Sequence, residues 1–310
     1  MPKPVRRRAD SPREILVTGG AGFIGSTLAL ELQKRHPEAR ITVVDDFRSG
    51  HFGNLEGFRG DVAACDAAEY RSDRAFDLVF HLASITDTTV HDQRLMVRDN
   101  VEGFRSVLAL AKASGAKVVY ASSAAVYGQG SERMAEDAPA RPANVYAFSK
   151  AVLDNLAARA ASEGQRVTGV RYFNVYGPGE AHKGKVASMI FQLYLQMKAG
   201  KRPRVFTPGQ QKRDFVHVDD AVRATILAAE KGKDAVYNVG SGSARSFNDV
   251  ISALNAALRT SLKPDYFENP YAFYQDFTEA DLGRSKEDLG YQPSFDLVRG
   301  ISDYARRLEP

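Results

Sequence analysis

The chain has 310 residues, 44% of them hydrophobic and 26% charged, with a formal net charge of +4. That length supports a full core plus a smaller second domain, and the mixture excludes a wholly disordered chain. Lys3, Arg6, Arg7, Arg8 and Arg13 face only Asp10 and account for the excess charge, so the body is nearly neutral and nucleic acid is not an expected partner.

Residues 1–12 read as a disordered basic leader, a Pro-containing run without periodicity. The leader lacks the apolar core of a signal peptide, and no stretch of 18 apolar residues occurs, so a cytoplasmic protein with no membrane partner is expected. Beyond it, β-branched runs alternate with longer helical patterns. Strand 14–18, helix 24–35 and strand 41–45 make a βαβ unit, and further strands are expected at 77–83, 116–122 and 167–173, with helices at 95–114 and 146–163. This alternation predicts an α/β fold, a doubly wound parallel sheet of Rossmann type. After Tyr176 the pattern loosens into Gly, Pro and aromatic residues, then regains a helix at 218–231 and a strand at 235–239. The expected division is a dinucleotide-binding domain of residues 13–175 plus about 212–240 and a smaller, partly interleaved C-terminal substrate-binding domain of 176–211 plus 241–310. Cys65 is the single cysteine, which excludes an internal disulfide or a thiolate metal cage; it reads as a packing residue, and no metal is expected.

The first chemical motif is Gly19-Gly20-Ala21-Gly22-Phe23-Ile24-Gly25, directly after the first strand and opening the first helix. Glycines let backbone approach a pyrophosphate, and the free N–H groups and dipole of the helix stabilise its charge, so NAD or NADP is the expected cofactor. Asp45 ends the second strand 20 residues after Gly25, where a carboxylate can accept hydrogen bonds from the adenosine ribose. Asp46 beside it would repel a 2′-phosphate and favours NAD, although Arg48 is in reach to neutralise one carboxylate and keeps NADP possible. Asp61-Val62, placed after a presumed third strand, is expected near the adenine.

Tyr146 and Lys150 stand at i and i+4 on one helix face, so an ammonium can favour the phenolate while holding the nicotinamide ribose. Ser123, at the end of the strand before them, can hydrogen-bond the substrate oxygen whose proton Tyr146 takes. His81 reads as a packed strand residue.

Taken together, the glycine motif, Ser123 and the Tyr146/Lys150 pair resemble the extended short-chain dehydrogenase/reductases that modify nucleotide sugars, over nearly the whole chain after Ser11. Members that dehydrate or decarboxylate carry acids where this chain has Ala124 and Ala125, which leaves epimerisation or simple reduction. Arg171-Tyr-Phe-Asn-Val-Tyr-Gly-Pro-Gly-Glu-Ala-His-Lys-Gly-Lys-Val-Ala-Ser188 is similar to the branch that epimerises ADP-heptoses at carbon 6. That resemblance implies a second acid/base at Lys183 opposite Tyr146, a tightly bound cofactor regenerated in each turnover, an ADP-heptose as the small-molecule partner, and a homo-oligomer. It also implies Leu82, Ala83, Ser84, Asn100 and Val175 along the cofactor, Asn174 and Arg213 at the nucleotide diphosphate, Phe206 beside the base, and Thr88, Thr89 and Tyr274 near the sugar. Arg213 has a structural alternative in pairing with Asp214 or Asp219, and Lys183 one as a solvated loop lysine. Lys185 and Gln192 replace a Ser and a His of the branch near the substrate, and Phe52 and Asp66 stand where it carries phosphate-binding lysines. Two other readings stay open: a 4-epimerase on a UDP-hexose or hexuronic acid, and a catalytically silent NAD-binding regulator.

Overall fold

In the computed structural model Ile15 and Val17 turn to one side of the first strand and Leu16 to the other, and all three are fully buried. A strand covered on both faces needs a continuous apolar run, which is what residues 15–17 supply. The structure describes residues 12–88, 90, 92–130, 132–270 and 275–309, so most of the leader, Thr89 and Tyr274 lie outside the described residues.

The first half of the chain runs β1 (Glu14–Thr18), α1 (Phe23–Arg35), β2 (Arg40–Asp45), β3 (Asp61–Ala64), β4 (Leu78–His81), α2 (Gln93–Ser114), β5 (Lys117–Ser123), α3 (Val145–Ser162) and β6 (Val167–Tyr172). There follow β7 (Asn174–Tyr176), α4 (Met189–Lys198), β8 (Arg204–Phe206), β9 (Lys212–His217), α5 (Val218–Lys231), β10 (Val236–Val239), β11 (Ala244–Ser246), α6 (Phe247–Leu258), β12 (Asp265–Phe267) and α7 (Leu297–Arg307). Among the described residues, seven parallel strands form the main sheet in the order β10-β6-β5-β4-β1-β2-β3. One face packs on α1 and α5 around Ile15, Val17, Leu28 and Ala224. The other packs on α2 and α3 around Leu16, Val118, Phe104 and Leu153. The expected Rossmann-type α/β sheet is therefore present, with the strands and helices of the first half where the apolar pattern put them.

A second core lies beyond this sheet, built on α4, α6 and α7 with Ile190, Leu254 and Ile301 at its centre. It carries a three-stranded sheet, β11-β9-β7, and a two-stranded one, β12-β8. Segment 212–217, which the sequence reading grouped with the dinucleotide-binding part, joins the three-stranded sheet instead; the return to the main sheet starts at α5. Chain order thus alternates between the two cores: β7 leaves the first, α5 and β10 return to it, α6 leaves again, residues 280–291 return, and α7 leaves. No described helix is long and apolar enough to cross a membrane.

Candidate active site

β1 feeds a helix on one face of the sheet and β4 a helix on the other, so the chain diverges between neighbouring strands. A crevice opens at the carboxyl ends of strands at such a point. Here it is a cleft of 1050 Å³ that extends from the glycine turn to the small sheet, at the upper end of the range of about 300–1,000 Å³ for small-molecule sites.

The glycine turn forms its floor. Gly19 has φ +69°, and a Cβ there would lie 2.5 Å from the Ala83 nitrogen. A Cβ on Gly25 would lie 2.1 Å from the Gly19 oxygen, so helix and turn pack backbone on backbone. Gly22, Phe23 and Ile24 complete this wall, and Leu82, Ala83, Ser84, Asn100 and Val175 also line the cleft. The fully buried Asn100 is held by Ile85 and by the Ser149 hydroxyl, 2.9 Å from its Nδ2. Asp45 is buried at the end of β2, where its carboxylate accepts from Ala21 N and Phe47 N, both at 2.9 Å. Burial raises its pKa, and those two bonds oppose the rise. The residues present fit a dinucleotide: the glycines leave room for a pyrophosphate at the start of α1, and carboxylates stand at the ribose end.

That ribose end is strongly acidic. Arg48 lines the cleft, and it binds three carboxylates at once, Asp46, Asp66 at 3.4 Å and Asp99 at 2.5 Å. Asp61 and Val62 are not part of it, which corrects the sequence reading. Asp61 opens β3 rather than following it, at the opposite end of the strand, where Arg40 and Arg74 each hold it at 2.8 Å; Val62 is half exposed. The carboxyl end of β3 instead delivers Cys65, Asp66 and Ala67 to the cleft. Cys65 is therefore a lining residue as well as a packing one, and burial raises its thiol pKa.

The chemical end gathers Ser123, Tyr146, Lys150 and Lys183. Asn144 caps α3 by accepting from Ala147 N at 2.8 Å, which places Tyr146 in the first turn. One turn on, the Lys150 ammonium lies 5.8 Å from the Tyr146 ring centre and donates to the Ala121 carbonyl at 2.9 Å. Lys150 is 2% exposed, and burial brings its pKa down to about 8. Enclosure raises the Tyr146 phenol, and the Ser123 hydroxyl acts against that rise. Lys183 arrives on a separate 3₁₀ segment, Ala181–Val186, with its ammonium 5.7 Å from the Phe23 ring centre. Lys183 is half-buried, and burial lowers its pKa. His182 ties that segment to the glycine turn: its Nδ1 is 3.0 Å from Asn54 Nδ2, which donates to the Ala21 carbonyl at 2.9 Å.

A family profile described as the NAD dependent epimerase/dehydratase family matches residues 15–240. The chain belongs to that family. It is 36% identical to an ADP-L-glycero-D-manno-heptose-6-epimerase of Brachyspira hyodysenteriae, over 95% of this chain and 98% of that one. It is similar to the crystal structure of the Helicobacter pylori ADP-L-glycero-D-manno-heptose-6-epimerase, with a TM-score of 0.87, 41% identity, and 95% and 96% of the two chains covered. A Thermotoga maritima UDP-glucose 4-epimerase with UDP-glucose has the same TM-score of 0.87 at 28% identity, covering 94% and 97%.

Within this epimerase/dehydratase fold, Thr88, Asn174 and Arg213 also line the cleft. Arg213 is buried on β9, where it donates to the Lys212 carbonyl at 2.9 Å. Asp214 accepts from Ser241, Gly242 and Ala280, while Asp219 pairs with Arg307 at 2.8 Å. Lys185, Gln192 and Phe206 do not line the cleft, contrary to expectation. Lys185 is exposed, Gln192 donates to the Gly184 carbonyl at 2.7 Å, and Phe206 packs edge-on against Phe267 at 4.9 Å. Position along the chain does not show which side chains turn inward. His81 is packed, as expected: fully buried, 2.8 Å from the Thr18 hydroxyl, its pKa driven by burial down to about 3.

Proposed function

We propose that this chain is an epimerase that inverts carbon 6 of an ADP-heptose, by transient oxidation to a 6-ketone and re-reduction. One observation carries it: Tyr146 on α3 and Lys183 on the segment after β7, two proton-transfer groups from separate elements, line one cleft with the dinucleotide turn. Inverting a secondary alcohol through a flat ketone requires proton transfer in two orientations, and one group per orientation supplies it. The names of the relatives agree.

The nicotinamide, when bound, supplies reversible hydride transfer, held by the glycine turn, Asp45 and Lys150. Tyr146 takes the proton from the carbon-6 hydroxyl while Ser123 hydrogen-bonds that oxygen and the Lys150 ammonium offsets the charge on the phenolate. After the carbonyl turns over, Lys183 supplies the proton to the oxygen in its second orientation; the reverse reaction exchanges the two roles. Arg213 holds the diphosphate by its planar fork of donors, with Asn174 beside it. Ala124 and Ala125 leave no acid where elimination would need one. NAD is the proposed cofactor, tightly bound, because Asp45, Asp46, Asp66 and Asp99 outnumber Arg48 at the ribose end and oppose a 2′-phosphate.

The test is a panel assay with both ADP-glycero-manno-heptose epimers, UDP-glucose, UDP-galactose and UDP-glucuronate, on wild type and Lys183→Ala. Heptose interconversion that collapses in the variant supports the reading. Turnover of UDP-hexoses alone, or full activity in the variant, overturns it; no turnover with any of them leaves a binding protein.

A further inference from the structure

The segment that carries Lys183 is closed at its base by one buried carboxylate. Glu180 is fully buried, yet among the described residues no arginine or lysine forms an ion pair with it. Its Oε1 accepts from Gly177 N at 3.1 Å, before the segment, and from the Ser188 hydroxyl at 2.8 Å, after it. Its Oε2 accepts from Ser188 N at 2.5 Å. Ser188 in turn caps α4 by accepting from Phe191 N at 3.2 Å. Residues 181–186 therefore leave and return through a single side chain, anchored on one side to β7 and on the other to a helix N-terminus that favours negative charge. Burying a carboxylate this deeply is costly unless hydrogen bonds satisfy it, and a neutral glutamine has only one oxygen to accept all three.

We propose that Glu180 is a positioning residue for the epimerisation, stapling the two ends of the Lys183 segment and holding a negative charge behind the ammonium. This rests on Lys183 acting as the second acid/base. Burial raises the pKa of Glu180 and lowers that of Lys183, and in each case the partner's charge acts against the shift. The other titratable groups at the pair are His182 on the same segment, which the Lys183 charge helps to hold neutral, and Tyr304 from α7, on which both Glu180 and Tyr194 of α4 act. From α1 only the Phe23 ring reaches the ammonium. Glu180 thus serves two ends at once: it fixes where Lys183 stands and keeps it chargeable in a site that disfavours charge.

The experiment is competitive acetylation of the holoenzyme across a pH range, with Lys183 and the exposed Lys34 followed in the same digest, alongside kcat and KM. In Glu180→Gln the Lys183 midpoint should fall by about one pH unit with Lys34 unmoved, and kcat should drop at least tenfold with KM little changed. Glu180→Asp keeps the charge and shortens the staple, so kcat should fall while the midpoint stays. A Glu180→Gln enzyme with wild-type midpoint and kcat overturns the proposal. If Glu180→Gln does not fold, Ser188→Ala removes one strand of the staple, and wild-type kcat there overturns it instead. Failure of the two-base reading shows separately, as a fully active Lys183→Ala.

Discussion

A methyl group at Gly25 sets two effects against each other. Gly25 lies in α1 with ordinary helical backbone, so Gly25→Ala gains about 1 kcal/mol of helix propensity. Its Cβ, however, would stand 2.1 Å from the Gly19 oxygen and 2.9 Å from the Gly19 carbonyl carbon, and both are main-chain atoms. Relief needs the turn to retreat by about 1 Å to reach ordinary carbon–oxygen contact. It has nowhere to go, because Gly19 donates to Val44 O at 2.7 Å and already lies against the Leu82–Ala83 backbone. Overpacking of this kind costs about 1–3 kcal/mol, so the net destabilisation is up to about 2 kcal/mol and the melting temperature falls by a few degrees. The larger loss is in binding. Shifting the turn by that distance stretches N–H donors away from a pyrophosphate, and one hydrogen bond to a charged group contributes about 1.5–3 kcal/mol, so Kd for NAD should rise at least about tenfold. Calorimetric titration of cofactor-stripped protein with NAD, paired with thermal melts, measures both. A variant that melts at or above wild type and binds NAD within twofold would refute the reasoning.

Tyr146→Phe should lower kcat by about 10²–10⁴-fold with the fold intact by circular dichroism, because general acid–base transfer at that oxygen is lost. Asp46→Asn should narrow the preference for NAD over NADP, read as the ratio of the two dissociation constants; an unchanged ratio would place the discrimination elsewhere. Lys150 titrates near 8 when folded and near 10.5 when unfolded, so the unfolded chain holds the extra proton between those values, and stability from this group rises with pH across that window. Lys150→Met should remove that rise in urea titrations and be more stable at pH 7. His81 stays neutral down to about 3 whereas the unfolded chain protonates near 6.5, so stability should fall as pH drops through that interval, by roughly 4 kcal/mol near its lower end. His81→Gln should flatten the acid limb.

The first half of this fold was legible because burial on both faces leaves a mark in one dimension. Parallel strands such as those holding residues 15–17 and 43–44 are apolar on both faces, and the glycine turn between β1 and α1 admits few other residues. The second core left weaker marks. Its strands β7, β8, β11 and β12 are three residues each, too short for alternation to register, and α4, α6 and α7 are separated by irregular stretches. Site residues followed the same division. Asp45, Ser123, Tyr146 and Lys150 sit at element ends or on a helix face, where periodicity locates them, whereas Asp61 was misplaced by one strand length because a four-residue strand gives no internal direction. Lys185, Gln192 and Phe206, on a 3₁₀ segment, a helix and a three-residue strand, failed because the resemblance that suggested them fixes position along the chain and not the direction of the side chain. Asp99 had no local signal, because its partner Arg48 meets it only in three dimensions, and the tie between Glu180 and Ser188 forms only once the segment between them folds back.

The chain's repeated passage between the two cores has a mechanical consequence. With β7, β10 and residues 280–291 each ending a passage in one direction or the other, no contiguous fragment contains one core whole without part of the other. Each crossing is a covalent strap, so a lobe that begins to open pulls on the other through several points at once. Heat or urea should therefore unfold the two as one cooperative transition, in contrast to domains strung on a single linker. Closure of the cleft over a nucleotide sugar is likewise limited to small rotations that all the straps accommodate together.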